Sequence, residues 1–218
     1  MAAAADAAVL TVGFATAVAR GLLAAAAERF RTDNPGWRLQ LRQVPWSDPS
    51  AGLADATADV AVLWLPLADP RRLAWTELAS EPRHVALPRD HPLAGRAEVA
   101  FADLLGEPFL ALPDSAGALR DFWLAVDARG GRPPVVGGVV TTGEETFEAV
   151  AGGAGVALLS AGNAEIYRHS GVVTRPVTGL APSRLAVAWR RDDDRPVTAS
   201  FVRACTGAAR SDGVPVAR

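Results

Sequence analysis

Hydrophobic and polar positions along this chain form short apolar runs separated by amphipathic stretches. Val9 to Phe14 (VLTVGF) is a β-rich run, and apolar residues at Val18, Leu22, Ala25, Ala26 and Phe30 then recur at helical spacing through Arg31. Asn34-Pro35-Gly36 stops that helix, after which Trp37, Leu39 and Leu41 alternate with Arg38, Gln40 and Arg42, the period of a strand. A turn over Pro45 to Pro49, with Ser47 or Asp48 as a helix cap, precedes a short helix predicted over Ala51 to Thr57, and Asp59 to Leu65 (DVAVLWL) reads as a buried strand. Successive strand–helix units predict a parallel sheet.

The pattern restarts after an extended passage at Arg83 to Pro88 and a turn at His91-Pro92. Strands are predicted at Phe109 to Leu112, Val135 to Thr141 and Val156 to Leu159, with helices through Leu119 to Arg129, after a cap at Asp114 or Ser115, and through Phe147 to Ala151, after a cap at Thr142. Val172 to Val177 and Leu185 to Trp189 read as strands, and Val197 to Ala209 as a closing helix. The restart divides the chain into two lobes, the first 9–85 plus 177–210 and the second 86–176, itself expected to be a parallel βα lobe. Tails 1–8 and 211–218 are expected to be flexible. The fold class is therefore α/β, with two Rossmann-like lobes, a ligand cleft between them and two crossover strands.

Composition narrows the function. Half of the 218 residues are hydrophobic, 21% are charged and the formal net charge is -2, so a folded core is expected and a general attraction to nucleic-acid phosphates is not. All the basic residues are arginines, and they are scattered rather than clustered. One cysteine, Cys205, rules out an internal disulfide and a thiolate metal cluster. No apolar run is long enough for a membrane helix, and Asp6 interrupts the alanine-rich start where an export signal would lie. A cytoplasmic location without membrane contact is expected. The three histidines have no partners at metal-ligand spacing, and no nucleophile elbow, phosphate loop or zinc-binding motif occurs. TTGEETF at Thr141 to Phe147 resembles a dehydratase Thr-Arg-Phe motif but has Gly143 in place of the arginine. Neither metal nor cofactor nor catalysis is expected.

Several stretches in order resemble the effector-binding part of LysR-type transcriptional regulators, from about Val9 to Cys205. LTVGFATAVARGLLAAAAERFRTDNPGWRLQLRQ resembles that family's first strand, first helix and second strand, and ADVAVLW its third strand. EPRHVALPRDHPLA at Glu81 to Ala94, followed by FADLLGEPFLAL, is similar to the crossover into the second lobe, and EETFEAVAGGAGVALLSAGNA to its glycine turn and short strand ending at Ser160. Thr57 stands where the family usually has a glycine ahead of Asp59. The resemblance implies the two-lobed architecture of type 2 periplasmic binding proteins, a small-molecule effector, a homodimer, and DNA contact only through a winged helix-turn-helix missing from this chain. A free-standing or exported solute-binding protein of the same fold is the alternative. The helix from Val18 to Phe30, with Leu22, Leu23 and four consecutive alanines, carries more apolar surface than one buried stripe requires and also points to a dimer.

In open α/β sheets ligands sit at the carboxyl ends of strands, beside the N-termini of following helices. That rule nominates Ala15, Thr16 and Ala17 after the first strand, Pro45 and Trp46 after the second, Trp64 at the end of the third, and Ser115, Thr142 and Ser160 from the second lobe. Hydroxyls and helix N–H groups favour an anion, so a carboxylate ligand is expected. Ser115, Thr142 and Ser160 also suit plain helix capping, and Trp46 and Trp64 suit the core as well as a cleft wall.

Overall fold

The computed structural model describes residues 8–16 and 21–211. Ala17 and the start of the predicted first helix, Val18 to Arg20, lie outside the described residues, as do nearly all of both predicted tails.

The first sheet joins β1 (Ala8–Phe14), β2 (Trp37–Gln43), β3 (Val60–Trp64), β4 (Leu73–Glu81) and β11 (Ser183–Arg190) in the order β2-β1-β3-β11-β4. β1 lies parallel to β2 and β3, whereas β11 returns antiparallel between β3 and β4. β3 is buried on both faces, which explains its unbroken apolar sequence. Val60, Val62 and Trp64 face a core shared with α1 (Leu22–Asp33) and α5 (Pro196–Ser211), where Phe30 meets Phe201 edge to face at 5.7 Å. Ala61 and Leu63 face the loop after β2, through Val44, Ala51 and Leu53.

α5 starts with Pro196, whose missing N–H costs nothing at a helix start. Asp193 anchors the preceding turn: its carboxylate accepts from Arg195 and from the Thr198 hydroxyl, and the Arg195 bond holds its pKa down at about 2. Cys205 is fully buried in this helix, and desolvation pushes its thiol up to about 12. Iodoacetamide at pH 8 is expected to leave Cys205 intact in the native chain and to alkylate it in denaturant. Labelling of the folded chain at a free-thiol rate would contradict that burial.

The second sheet contains β5 (Arg83–Pro88), β6 (Val99–Ala100), β9 (Ala157–Ser160) and β10 (Val172–Thr178) in the order β6-β10-β5-β9. β7 (Pro108–Ala111) and β8 (Val135–Val139) pair in parallel, and a Phe109–Val156 bridge attaches them beside β9. The expectation of a purely parallel second lobe is corrected here, since β5 runs antiparallel to both β9 and β10. The sheets also divide at Pro82 and between Thr178 and Ser183, so β5 belongs wholly to the second one.

Two helical expectations change as well, and one further helix is added. Residues 51–57 form turns rather than a helix, because Ala51 and Ala56 take positive φ (52° and 60°) and the Asp48 and Asp55 carboxylates bind nearby backbone N–H groups. The helix expected through Arg129 stops early: α2 is Ala118–Trp123, and Ala125 at φ 51° turns the chain into a short 3₁₀ segment. α3 (Gly143–Ala151) begins directly after Thr142, and α4 (Ala161–Ile166) follows Ser160 without having been foreseen.

Candidate functional site

The loops at the carboxyl ends of β1, β2 and β3 meet the second lobe across a cleft. From the first lobe, Ala15, Thr16, Trp46, Asp48, Leu63 and Trp64 line it. Across from them stand residues of β5, β7 and β9, together with Leu119 and Trp123 of α2, Gly143, Thr146 and Phe147 of α3, and Asn163 and Tyr167 next to or in α4. The space between them is about 90 Å³.

Small and aliphatic side chains make much of the wall, and aromatic rings from both lobes are set among them. The Trp64 indole meets Trp123 edge to face at 6.1 Å across the two lobes, Phe122 backs Trp123 at 5.1 Å, and Phe147 stacks on Tyr167 at 5.6 Å. Gly143 makes the last contact possible, since a Cβ there would lie 2.8 Å from the Tyr167 ring. Trp64 Nε1 donates to Thr16 Oγ1 at 3.2 Å, so the loop after β1 is held against the end of β3. Asp48 braces the opposite loop: its Oδ1 accepts from Ser50 N and Oγ, and its Oδ2 from Gly52 N.

Direct bonds also join the lobes at the cleft rim. Ser115 Oγ donates to Ser47 O at 2.8 Å, and Trp46 N donates to Thr141 O at 3.1 Å. At the crossover, three buried polar residues gather. Arg83 donates to Ala181 O and Phe122 O, both at 2.8 Å, and its guanidinium lies 4.4 Å from the Phe122 ring; Glu81 accepts from Gly162 N; and Ser183 donates to Glu81 O. Burial lowers the Arg83 pKa from its ordinary value.

Of the residues nominated from the sequence, Ala15, Thr16, Trp46 and Trp64 are in the lining. Ala17 lies outside the described residues, and Pro45 is exposed on the loop, away from the lining. Ser115, Thr142 and Ser160 are not lining residues either. Ser115 sits in a 3₁₀ turn and gives its proton to Ser47, whereas Thr142 and Ser160 accept the N–H groups of Glu145 and Asn163 as ordinary helix caps. The expected convergence of open helix ends is therefore corrected: Glu145 folds back to accept from Thr141 at the head of α3, and the Glu81 carboxylate fills the first turn of α4. Replacing Thr142 with valine should accordingly lower stability by about 0.5–2 kcal/mol through the lost cap while leaving ligand affinity unchanged. A calorimetric titration beside a ligand-free melt checks this, and weakened binding at an unchanged melting temperature would contradict it.

Sequence reasoning missed Trp123, Phe147, Asn163 and Tyr167. None of the four carries a local signal beyond the apolar and polar periodicity of its helix.

The chain is similar to known proteins over almost its whole length. The family model described as LysR substrate binding domain matches residues 3–210. Among curated relatives, the Hca operon transcriptional activator HcaR of Escherichia coli (strain K12) is 30% identical over 195 residues, 88% of this chain and 65% of that protein. The HTH-type transcriptional regulator AlsR of Bacillus subtilis (strain 168) is 22% identical over 88% of this chain and 64% of its own. The chain thus spans less than two thirds of the length of these relatives. Among solved structures, the BenM effector binding domain with its effector benzoate superposes with a TM-score of 0.75 at 20% identity, covering 96% of this chain and 95% of that one. Full-length CbnR complexed with its target DNA gives 0.72 at 20% identity, covering 94% of this chain and 72% of that chain. These structures share the two-lobed fold.

Proposed function

This chain belongs to the LysR substrate binding domain family, and from that membership we propose that it is the ligand-sensing part of a transcription regulator, holding a small organic molecule in the interlobe cleft. The carrying observation is the cleft itself, an aromatic-walled space bounded by both lobes at the strand ends where such folds hold ligands. Ala15, Thr16, Trp46 and Trp64 are the sequence-nominated residues that this reading retains. Among the described residues the lining offers no histidine or cysteine to pair with its one acid, Asp48, and the chain is proposed to bind and not to catalyse. The curated relatives are transcription regulators, which favours this reading over an exported solute carrier and carries with it a location in the cytoplasm.

A carboxylate on the ligand, expected from the sequence, finds the head of α3 already shared with Glu144 and Glu145 and the head of α4 taken by Glu81. The proposal therefore retains a small organic molecule without its charge. DNA contact belongs to a part of the regulator outside this chain. Ligand would act on it by binding one lobe arrangement more tightly than the other; the Ser115–Ser47 and Trp46–Thr141 bonds mark the arrangement seen here.

A thermal-shift screen of small aromatic and carboxylic compounds tests the reading. Ligand at 100 times its Kd should add about 2.7 kcal/mol, roughly 5–10 °C for a chain of this size. The shift should disappear in Phe147→Ala. A shift that survives this substitution would place binding outside the cleft.

A homodimer is part of the same proposal. The excess apolar surface lies less on α1, where Leu22, Ala26 and Phe30 are buried, than on two sheet edges. Leu41 on β2 is 50% exposed, and Val135, Val136 and Val139 on β8 are 50%, 42% and 53% exposed. β2 and β8 end their respective sheets, so a two-fold pair could seat the first-lobe edge of one copy on the second-lobe edge of the other. Val139→Arg is expected to give monomers by sedimentation where the parent chain gives dimers, with the melt of each lobe retained. An unchanged dimer would remove β8 from the interface.

A further inference from the structure

Resting on the reading of the cleft as a ligand site, we propose that its ligand is an uncharged single aromatic ring carrying an O–H or N–H donor, and that the cleft selects against carboxylates. Among the described residues the lining contains no arginine, lysine or histidine, and the one charged residue there, Asp48, is an acid. Further acidic residues stand at the heads of α3 and α4. Glu144 and Glu145 occupy the first turn of α3, and the Glu81 carboxylate occupies the start of α4, where a ligand's carboxylate would otherwise find free N–H groups. An anion set against these walls loses its water without gaining a cation among the described residues, a cost that an uncharged ring avoids.

Size and wall chemistry point to the ring. About 90 Å³ is smaller than the roughly 150 Å³ of an apolar cavity that takes benzene, so one ring is the most this arrangement accepts, with slight parting of the lobes. Trp64, Trp123, Phe147 and Tyr167 offer edges and faces suited to aromatic contact.

The polar lining specifies the donor. Asn163 is 6% exposed, and its amide oxygen is buried with no partner in the protein. The Thr146 hydroxyl spends its proton on Thr142 O at 2.8 Å and so can only accept. These two acceptors on the second-lobe side of the lining reward a ligand that brings a proton and leave a purely apolar ring less favoured.

Phenol, toluene, benzoate and benzylamine form a set of single-ring probes differing in charge and donor. Titrated calorimetrically into the intact chain at neutral pH, phenol is expected to bind about tenfold tighter than toluene and benzoate. Asn163→Leu should bring phenol to the level of toluene. Thr146→Val should narrow the same gap and serves if the first variant does not fold. Benzoate or benzylamine binding tighter than phenol, with quenching of tryptophan fluorescence, would overturn the inference while leaving the cleft reading intact. Equal affinity for phenol and toluene in the parent chain would remove the donor requirement and overturn it too. If none of the four binds, the inference also fails. The cleft reading then stands or falls separately, on whether any compound in the wider screen gives a shift that Phe147→Ala abolishes.

Discussion

Gly13→Ala is expected to destabilise the protein by at least about 3 kcal/mol, lowering the melting temperature by roughly 6–12 °C. Gly13 is the last residue but one of β1, paired with Arg42 on one side and Ala61 on the other. A Cβ at this position would lie 1.8 Å from Ala51 O and 3.1 Å from the Ala58 methyl. The carbonyl is backbone, on a turn fixed by the Asp48 carboxylate and by the positive φ of Ala51, so it cannot swing aside as a side-chain tip would. Because the same turn carries Asp48 and Ala51 into the cleft lining, the variant should also bind ligand more weakly. Differential scanning calorimetry and a ligand titration read the two effects. A melting temperature within a degree of the parent would show that the turn gives way easily and would refute the argument.

Arg83→Met should lower stability by about 2–3 kcal/mol and weaken ligand binding at the same time. Arg83 is 1% exposed and connects three parts of the chain: its own strand β5, the second crossover through Ala181 O, and α2 through Phe122 O. Methionine keeps much of the volume but supplies no donor. Ala181 O then loses its guanidinium partner, while Phe122 O keeps the Ala125 N–H at 3.0 Å. Removing a buried cation whose pKa is already lowered by desolvation offsets part of the loss, which is why the estimate stays below the sum of two charge-assisted bonds. The functional effect follows from Phe122, whose ring lies against both Arg83 and Trp123. Loosening α2 moves Trp123, and Trp123 is the second-lobe half of the aromatic contact that spans the cleft. Chemical denaturation gives the stability change. A destabilised variant with unchanged affinity would confine Arg83 to a structural role at the crossover.

Much of the architecture was legible in the chain because burial on two faces leaves a direct mark. VAVLW reads as a strand wherever it occurs, since both of its faces meet apolar partners. α5 announces itself by the spacing of Val197, Phe201 and Cys205, all buried, and Thr142 is recognisable as a cap because an N-cap is a local interaction spanning three residues. β4 escaped notice: its burial runs irregularly through LAWTELASE, and its place beside β11 depends on a partner more than a hundred residues away. The helix expected over Ala51 to Thr57 failed for a related reason. Alanine and leucine favour helix, but the carboxylates of Asp48 and Asp55 and the close approach of Gly13 hold that segment in turns.

For the cleft, the sequence by itself determined which strand ends would line it, because the order of strands and helices sets where their carboxyl ends lie; Thr16, Trp46 and Trp64 follow from that order. Only the tertiary structure decided the chemistry of the space between them. Ser115, Thr142 and Ser160 looked like ligand hydroxyls because a sequence shows a polar side chain without showing what already holds it, and here Ser47 O, Glu145 N and Asn163 N do. The anion expected at the heads of α3 and α4 meets Glu145 and Glu81 in those positions, the latter placed there from 81 residues away. Charge balance in a cleft sums over side chains brought together from both lobes, and no local pattern in the chain encodes that sum.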